Sequence, residues 1–210
     1  METKENNHTL CKGFAKHFSK IKRRINIFTG KERQAVQYLA NNVPQIIDIE
    51  IGFEGELKQD AKKKSVPRID MAAITAKGTI IFFEVKLFDN TEIRSKRTPP
   101  VVGQLNKYKK LLRQKDEEII AAYQEQLNIY DQLEGKFFQK RSLKIRNLSL
   151  YPHARLIVTG FDASQRDLML PTIQEAIEKG VGWEEGNKDF IATGGHTNLA
   201  KSNRLFLGLK

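Results

Sequence analysis

The chain has 210 residues, carries 36 Lys and Arg against 25 Asp and Glu, and has a formal net charge of +11. That length suits one good-sized domain or a domain with an arm, and 40% hydrophobic with 29% charged residues is the make-up of a soluble globular protein. No run of 18 apolar residues is present, the polar start Met-Glu-Thr-Lys-Glu-Asn-Asn lacks the apolar core of a secretory signal, and the single Cys11 excludes an intramolecular disulfide and a Cys-based zinc site. A cytoplasmic protein without a transmembrane segment is expected. The excess positive charge calls for a polyanion, either nucleic acid or an anionic membrane surface. It is uneven, because residues 1–45 hold nine Lys and Arg against three Asp and Glu.

Taken in order, Leu10, Phe14, Phe18, Ile21 and Ile25 recur at steps of three and four, which predicts a helix. Lys12, Lys16, Lys20 and Lys22 to Arg24 fall largely off that stripe, so residues 1–28 read as a basic helical arm and residues 29–210 as the main domain. Thr29-Gly-Lys-Glu32 has the spacing of a capping box and opens a helix that Asn41-Asn42 and Pro44 end. Ile46 to Ile51 predicts a strand with Ile47, Ile49 and Ile51 on one face. Arg68 to Ile74 predicts a second strand, Gly78 a turn, and Thr79 to Phe88 a third strand so apolar that it should be buried on both faces. Pro99-Pro100 precedes a helix with Leu105, Tyr108, Leu111 and Leu112 inward. A further helix runs from Asp116 to Leu133 and is closed by Gly135. Arg155 to Thr159 is a fourth strand, Leu168 to Lys179 a helix ended by Gly180, and Arg204 to Leu207 a possible last strand.

The third strand carries the chemistry. Side chains alternate along a strand, so Glu84 and Lys86 share one face while Phe83 and Val85 take the other. Asp70 lies eight residues before Gly78 and Glu84 six after it, so one bulge or a small offset sets the two carboxylates side by side on a hairpin. Two such acids repel, and burial adds to the cost. A divalent cation relieves both, and oxygen ligands of this kind suit Mg2+ or Mn2+. A metal-bound water activated there attacks phosphorus esters, with Lys86 orienting it and countering negative charge. Glu-X-Lys alone is a common ion pair. Glu-X-Lys inside Ile-Ile-Phe-Phe-Glu-Val-Lys-Leu-Phe, after an acid on a partner strand, is far more specific.

Arg68-Ile-Asp70, Phe83-Glu84-Val85-Lys86 and Gln104-Leu-Asn-Lys-Tyr108 together resemble the PD-(D/E)XK nuclease superfamily, the restriction-endonuclease-like fold. The resemblance covers about residues 30 to 180. It implies an α/β core with a central mixed four-stranded β-sheet flanked by helices in the order α-β-β-β-α-β. It implies Asp70 and Glu84 as metal ligands with the Val85 carbonyl as a third, Lys86 as the catalytic lysine, and Gln104 facing the site with Tyr108 one turn on. Glu32 matches the first-helix Glu of many branches, or it only caps its helix. The proline usual before the first acid is absent, since Ile69 stands there and Pro67 lies two residues before it.

Lys62, Lys63, Lys64, Arg68, Arg94, Lys96 and Arg97 flank the acids in sequence and are expected to grip phosphates, with Tyr108 beside them. His8, His17, His153 and His196 do not fall at metal-ligand spacing and read as surface or loop residues. The expected activity is Mg2+-dependent hydrolysis of DNA phosphodiester bonds, in restriction, repair or anti-phage defence. A homodimer, a partner ATPase or a specificity subunit is a possible further partner. A non-catalytic nucleic-acid-binding module of the same fold and a membrane-surface protein using the basic arm are the competing readings.

Overall fold

The computed structural model describes residues 30–53, 68–95, 98–137, 147–183 and 188–194. The basic arm, the Lys62–Lys64 run, Lys96, Arg97, His8, His17, His196 and the strand expected at Arg204 lie outside these residues. In chain order the elements are α1 (Lys31–Asn42), β1 (Ile46–Gly52), β2 (Arg68–Ile74), β3 (Thr79–Leu87), α2 (Pro100–Gln114), α3 (Asp116–Phe137), β4 (Ser149–Leu150), β5 (Arg155–Thr159), α4 (Ala163–Leu168), α5 (Leu170–Val181) and β6 (Phe190–Thr193).

They build one mixed sheet in the order β1-β2-β3-β5-β6, flanked by helices, which makes this an α/β protein. β1, β2 and β3 pair antiparallel, while β3, β5 and β6 run parallel. β4 pairs parallel with the start of β3, at Thr79 and Ile80. The sheet therefore has six strands where four are expected. The two extra strands are short: β4 has two residues and β6 has four, too few to show a period-two pattern.

β3 is the spine. Its seven central residues are buried, as its apolar run predicts. One face, with Ile80 and Phe82, packs with Val101, Leu105 and Tyr108 of α2, Ile119 and Tyr123 of α3 and Ile177 of α5. The other, with Ile81, Phe83 and Val85, packs with Ala35, Val36 and Leu39 of α1. Each fully buried Ile or Phe here contributes roughly 1.5–3 kcal/mol of hydrophobic stabilisation.

Four local expectations are corrected. The register of β1 shifts between Ile46 and Asp48, and Glu50 has a left-handed φ of 55°. The strict alternation is lost, so Ile47 and Ile51 join the α2 and α3 side while Ile49 packs on the α1 side. α1 begins after Gly30 without a side-chain capping hydrogen bond. α3 continues through Gly135 to Phe137. The helix expected to end at Gly180 runs to Val181 and is capped by Gly182, whose φ is 70°. Gly180 is needed for a different reason: a Cβ there would lie 2.9 Å from both Val102 methyls, so its absence lets α5 lie close on α2. Upstream, α4 starts on an Asp162/Gln165 capping box and stops before Pro171, which sits in the first turn of α5 where its missing N–H is not needed.

Candidate active site

The β2–β3 hairpin turns about Lys77. Thr75 N–H bonds to the Thr79 carbonyl, and Gly78 takes φ 86°. Met71 therefore faces Phe83 and Ala72 faces Phe82. Asp70 and Glu84 are the next residues along the two strands, just past the last paired residues. The paired ladder stops at Met71 and Phe83, while β3 continues beside β5 as far as Leu87. The two strands thus part at the acids.

Beyond the fork, no strand among the described residues pairs with the N–H groups of β3 that face β2. Carboxylates take them. Val85 N–H donates to Asp70 Oδ2 at 2.8 Å, and Leu87 N–H donates to Glu32 Oε1 at 3.0 Å. Asn90 Nδ2 also donates to Glu32 Oε1, at 2.6 Å. Thr29, the expected partner of Glu32 in a capping box, lies outside the described residues. Glu32 reaches across from α1 to hold the end of β3. The local spacing carries no sign of this long-range bond.

Glu84 is 2% exposed and surrounded by donors. Its Oε1 accepts from Gln104 Nε2 at 2.8 Å and lies 2.8 Å from Lys86 Nζ. Its Oε2 accepts from the Tyr108 hydroxyl at 3.2 Å. Burial and the neighbouring Asp70 charge raise the Glu84 pKa to about 7, against the pull of Lys86 and Tyr108. Burial also raises Asp70, opposed by the Val85 N–H and by Lys86 and reinforced by Glu32 and Glu50. Burial alone would lower Lys86, but Glu84 and Glu92 outweigh it, and its pKa is raised. Lys86 is thus a firmly protonated ammonium held between two carboxylates, with Glu92 Oε2 at 2.7 Å.

Gln104 faces Glu84 from α2, and its Nε2 also donates to the Tyr108 hydroxyl at 2.6 Å. Tyr108 is a correction. It is 2% exposed, and its hydroxyl donates to the Arg68 carbonyl at 2.5 Å. Burial and the Glu84 charge raise its pKa. It props Glu84 from below and is no surface contact for nucleic acid. Arg68 and Arg94 are exposed as expected. The Arg68 guanidinium lies 3.8 Å from Glu50, and that of Arg94 sits over the Phe88 ring at 5.5 Å.

Sequence reasoning missed Asn90 and Glu92. Asn90 Oδ1 accepts from Glu92 N–H at 2.8 Å, forming an Asx turn after β3 that delivers Glu92 to Lys86. Asp89-Asn90 was the available turn signal. His153 lies in the loop between β4 and β5, as expected, and from there bonds the buried Asp189, a contact the sequence did not announce.

The donors suit a small hard cation. Asp70 Oδ1 takes no hydrogen bond among the described residues, and Glu84 Oε2 has a lone pair beyond Tyr108. The Val85 carbonyl lies on the same strand edge as its N–H. No group of three His, Cys, Asp or Glu side chains placed to hold a metal occurs among the described residues. Mg2+ needs none, because it commonly takes one or two carboxylates and keeps its waters. Beside the fork lies an open cleft of ≈ 330 Å³ lined by Gly30, Glu32, Arg33, Val36, Glu50, Arg68 and Asp70.

The fold and site define an α/β protein with a mixed sheet and an acid–lysine cluster at a strand fork. No family model, no curated protein and no solved structure matches the chain. No helix among the described residues is long and apolar enough to cross a membrane.

Proposed function

We propose that the protein is a Mg2+-dependent nuclease, with Mn2+ as a substitute, that hydrolyses DNA phosphodiester bonds. One observation carries the reading: Asp70 and Glu84 come together where β2 leaves β3, with Lys86 on Glu84 and Gln104 and Tyr108 behind it. Buried acids whose charge is resisted, Glu84 by burial and Asp70, and Asp70 by burial, Glu32 and Glu50, are costly for the fold and are common where a ligand binds. The resemblance of these residues to the PD-(D/E)XK superfamily supports the same chemistry. The restriction-endonuclease-like fold, and a role in restriction, repair or defence, rest on analogy.

Asp70 and Glu84 would hold the cation, with the Val85 carbonyl on the shared edge. Bound there, the metal supplies Lewis acidity and lowers the pKa of water. Gln104 and Tyr108 fix the orientation of Glu84. Lys86, kept protonated by Glu84 and Glu92, presents ammonium N–H groups to the charge that builds on the phosphate. Arg68 and Arg94 supply positive charge for the backbone and read no bases.

The test is cleavage of supercoiled, linear and single-stranded DNA in Mg2+, Mn2+ or EDTA, with Glu84→Ala and Lys86→Ala alongside. The expected result is metal-dependent cleavage that both substitutions abolish. Cleavage at the wild-type rate in both variants would sink the reading. DNA binding without cleavage by the wild-type protein would favour a non-catalytic binding module.

A further inference from the structure

The cleft beside the acids holds a group that the chemistry above does not use. Arg33, on the first turn of α1, grips the Glu50 carboxylate with two nitrogens. Its Nη2 donates to Oε2 at 2.7 Å and its Nε donates to Oε1. Arg68 approaches the same carboxylate from β2, with Nη1 at 3.8 Å. Two guanidinium groups therefore converge on one anion, at the rim of a cleft that also contains Asp70 and Glu32.

Three features mark this as a site for an exchangeable anion. Glu50 is the one non-glycine among the described residues with a positive φ, at 55°. That backbone state is uncommon for a residue other than Gly, Asn or Asp, and such strain gathers at functional sites. Next, the pair is open to solvent, with side-chain exposures of 55% for Arg33, 67% for Arg68 and 35% for Glu50. Exposed ion pairs contribute little net stability, so a competing anion displaces this one readily. Finally, α1 starts here without a side-chain cap, and a Cβ on Gly30 would meet nothing within 4 Å. The helix dipole at that end favours a second source of negative charge.

We propose that Arg33 and Arg68 form a phosphate subsite next to the acid fork, and that Glu50 fills it as an internal stand-in for a nucleic-acid backbone phosphate until substrate arrives. The inference rests on the nuclease reading. A guanidinium fork matches phosphate as well as carboxylate, so the grip on Glu50 transfers to the strand without rebuilding the site. Glu50 must swing aside, which taxes binding and keeps the cleft ordered when empty. The subsite sits on the Asp70 side of the fork, so it holds a phosphate neighbouring the one under attack.

The test measures binding of a fluorescein-labelled DNA duplex in EDTA across about 50 to 200 mM salt. Arg33→Ala and Arg68→Ala are each expected to weaken binding about 5- to 10-fold and to lower the slope of log K against log salt by about one. Glu50→Gln is expected to tighten binding several-fold. The Arg33→Ala/Glu50→Gln double variant should bind no tighter than Arg33→Ala alone. Wild-type slopes in both arginine variants, or weaker binding by Glu50→Gln, overturn the proposal. Thermal melts check that each variant is folded. A wild-type protein that binds no DNA at any salt overturns the nuclease reading itself, a result distinct from unchanged slopes in the variants.

Discussion

Two carboxylates, Glu84 and Asp189, are buried in this sheet, and their neighbours treat them in opposite ways. Asp189 is 0% exposed, just before β6. It accepts from the Tyr151 hydroxyl at 2.9 Å, from Arg155 Nε at 3.0 Å and from His153 Nε2. Burial alone would raise its pKa, but His153, Tyr151 and Arg155 pull it below the usual value. Arg155 in turn lies over the Tyr151 ring at 4.6 Å. Glu84 is almost as buried and also has donors, in Lys86, Gln104 and Tyr108, yet burial and the Asp70 charge outweigh them and its pKa rises to about 7. The first carboxylate is charged, satisfied and structural. The second is held in an environment that resists its charge, which is the condition of a group kept for a ligand.

The largest effect should come from removing the satisfied acid. Asp189→Ala leaves Arg155, 8% exposed, without its charge partner. The expected cost is about 3–5 kcal/mol, or roughly 10 °C in Tm for a protein of this size, read by thermal melt. A small loss would put the Asp189 cluster in the same class as the fork and break the contrast.

Glu84→Gln should do the reverse. Cleavage should fall by about 100-fold or more while Tm at pH 8 stays level or rises. The sign follows from linkage. The folded pKa of Glu84 lies near 7 and its ordinary value at 4.5. Its contribution to stability is therefore full below 4.5 and is lost as pH rises to about 7. Melts from pH 4 to 8 should show that decline in the wild-type protein and a flatter curve in Glu84→Gln. Asp189, shifted down, acts in the opposite sense: its contribution is present above its ordinary value of 3.8 and is lost as pH falls.

The smallest effect is at Tyr108. Its hydrogen bond lowers the Glu84 pKa. Tyr108→Phe should move the Glu84 titration to higher pH by about one unit or less, at a cost of about 1 kcal/mol in stability. The pH–rate profile of cleavage reads the shift. A move to lower pH would show that the hydroxyl does not support the carboxylate.

Much of the fork was legible in the chain. Period-two alternation placed Glu84 and Lys86 together, an apolar run fixed β3 as buried, helical spacing put Tyr108 on the inner face of α2, and the family resemblance pointed to Gln104. What was not legible depends on contacts far apart in sequence. Asp189 meets His153 across 36 residues, and no motif spans that distance. Glu32 meets Leu87 across 55, and its local pattern pointed to a cap instead. The left-handed Glu50 and the register shift in β1 carry no glycine to announce them. The strand β6 hides in a glycine-rich stretch.

The bond from Val85 N–H to Asp70 has a consequence for anyone redesigning this chain. Asp70 and Glu32 accept the backbone N–H groups that a neighbouring strand would otherwise take, so the acids cannot simply be deleted to make an inert scaffold. Asp70→Asn retains a side-chain oxygen able to accept from Val85 and should leave the sheet intact. Asp70→Ala strands a backbone donor in a partly buried fork. A designer who wants an apolar version must first extend the pairing of β2 alongside β3 as far as Leu87, and only then remove the charge.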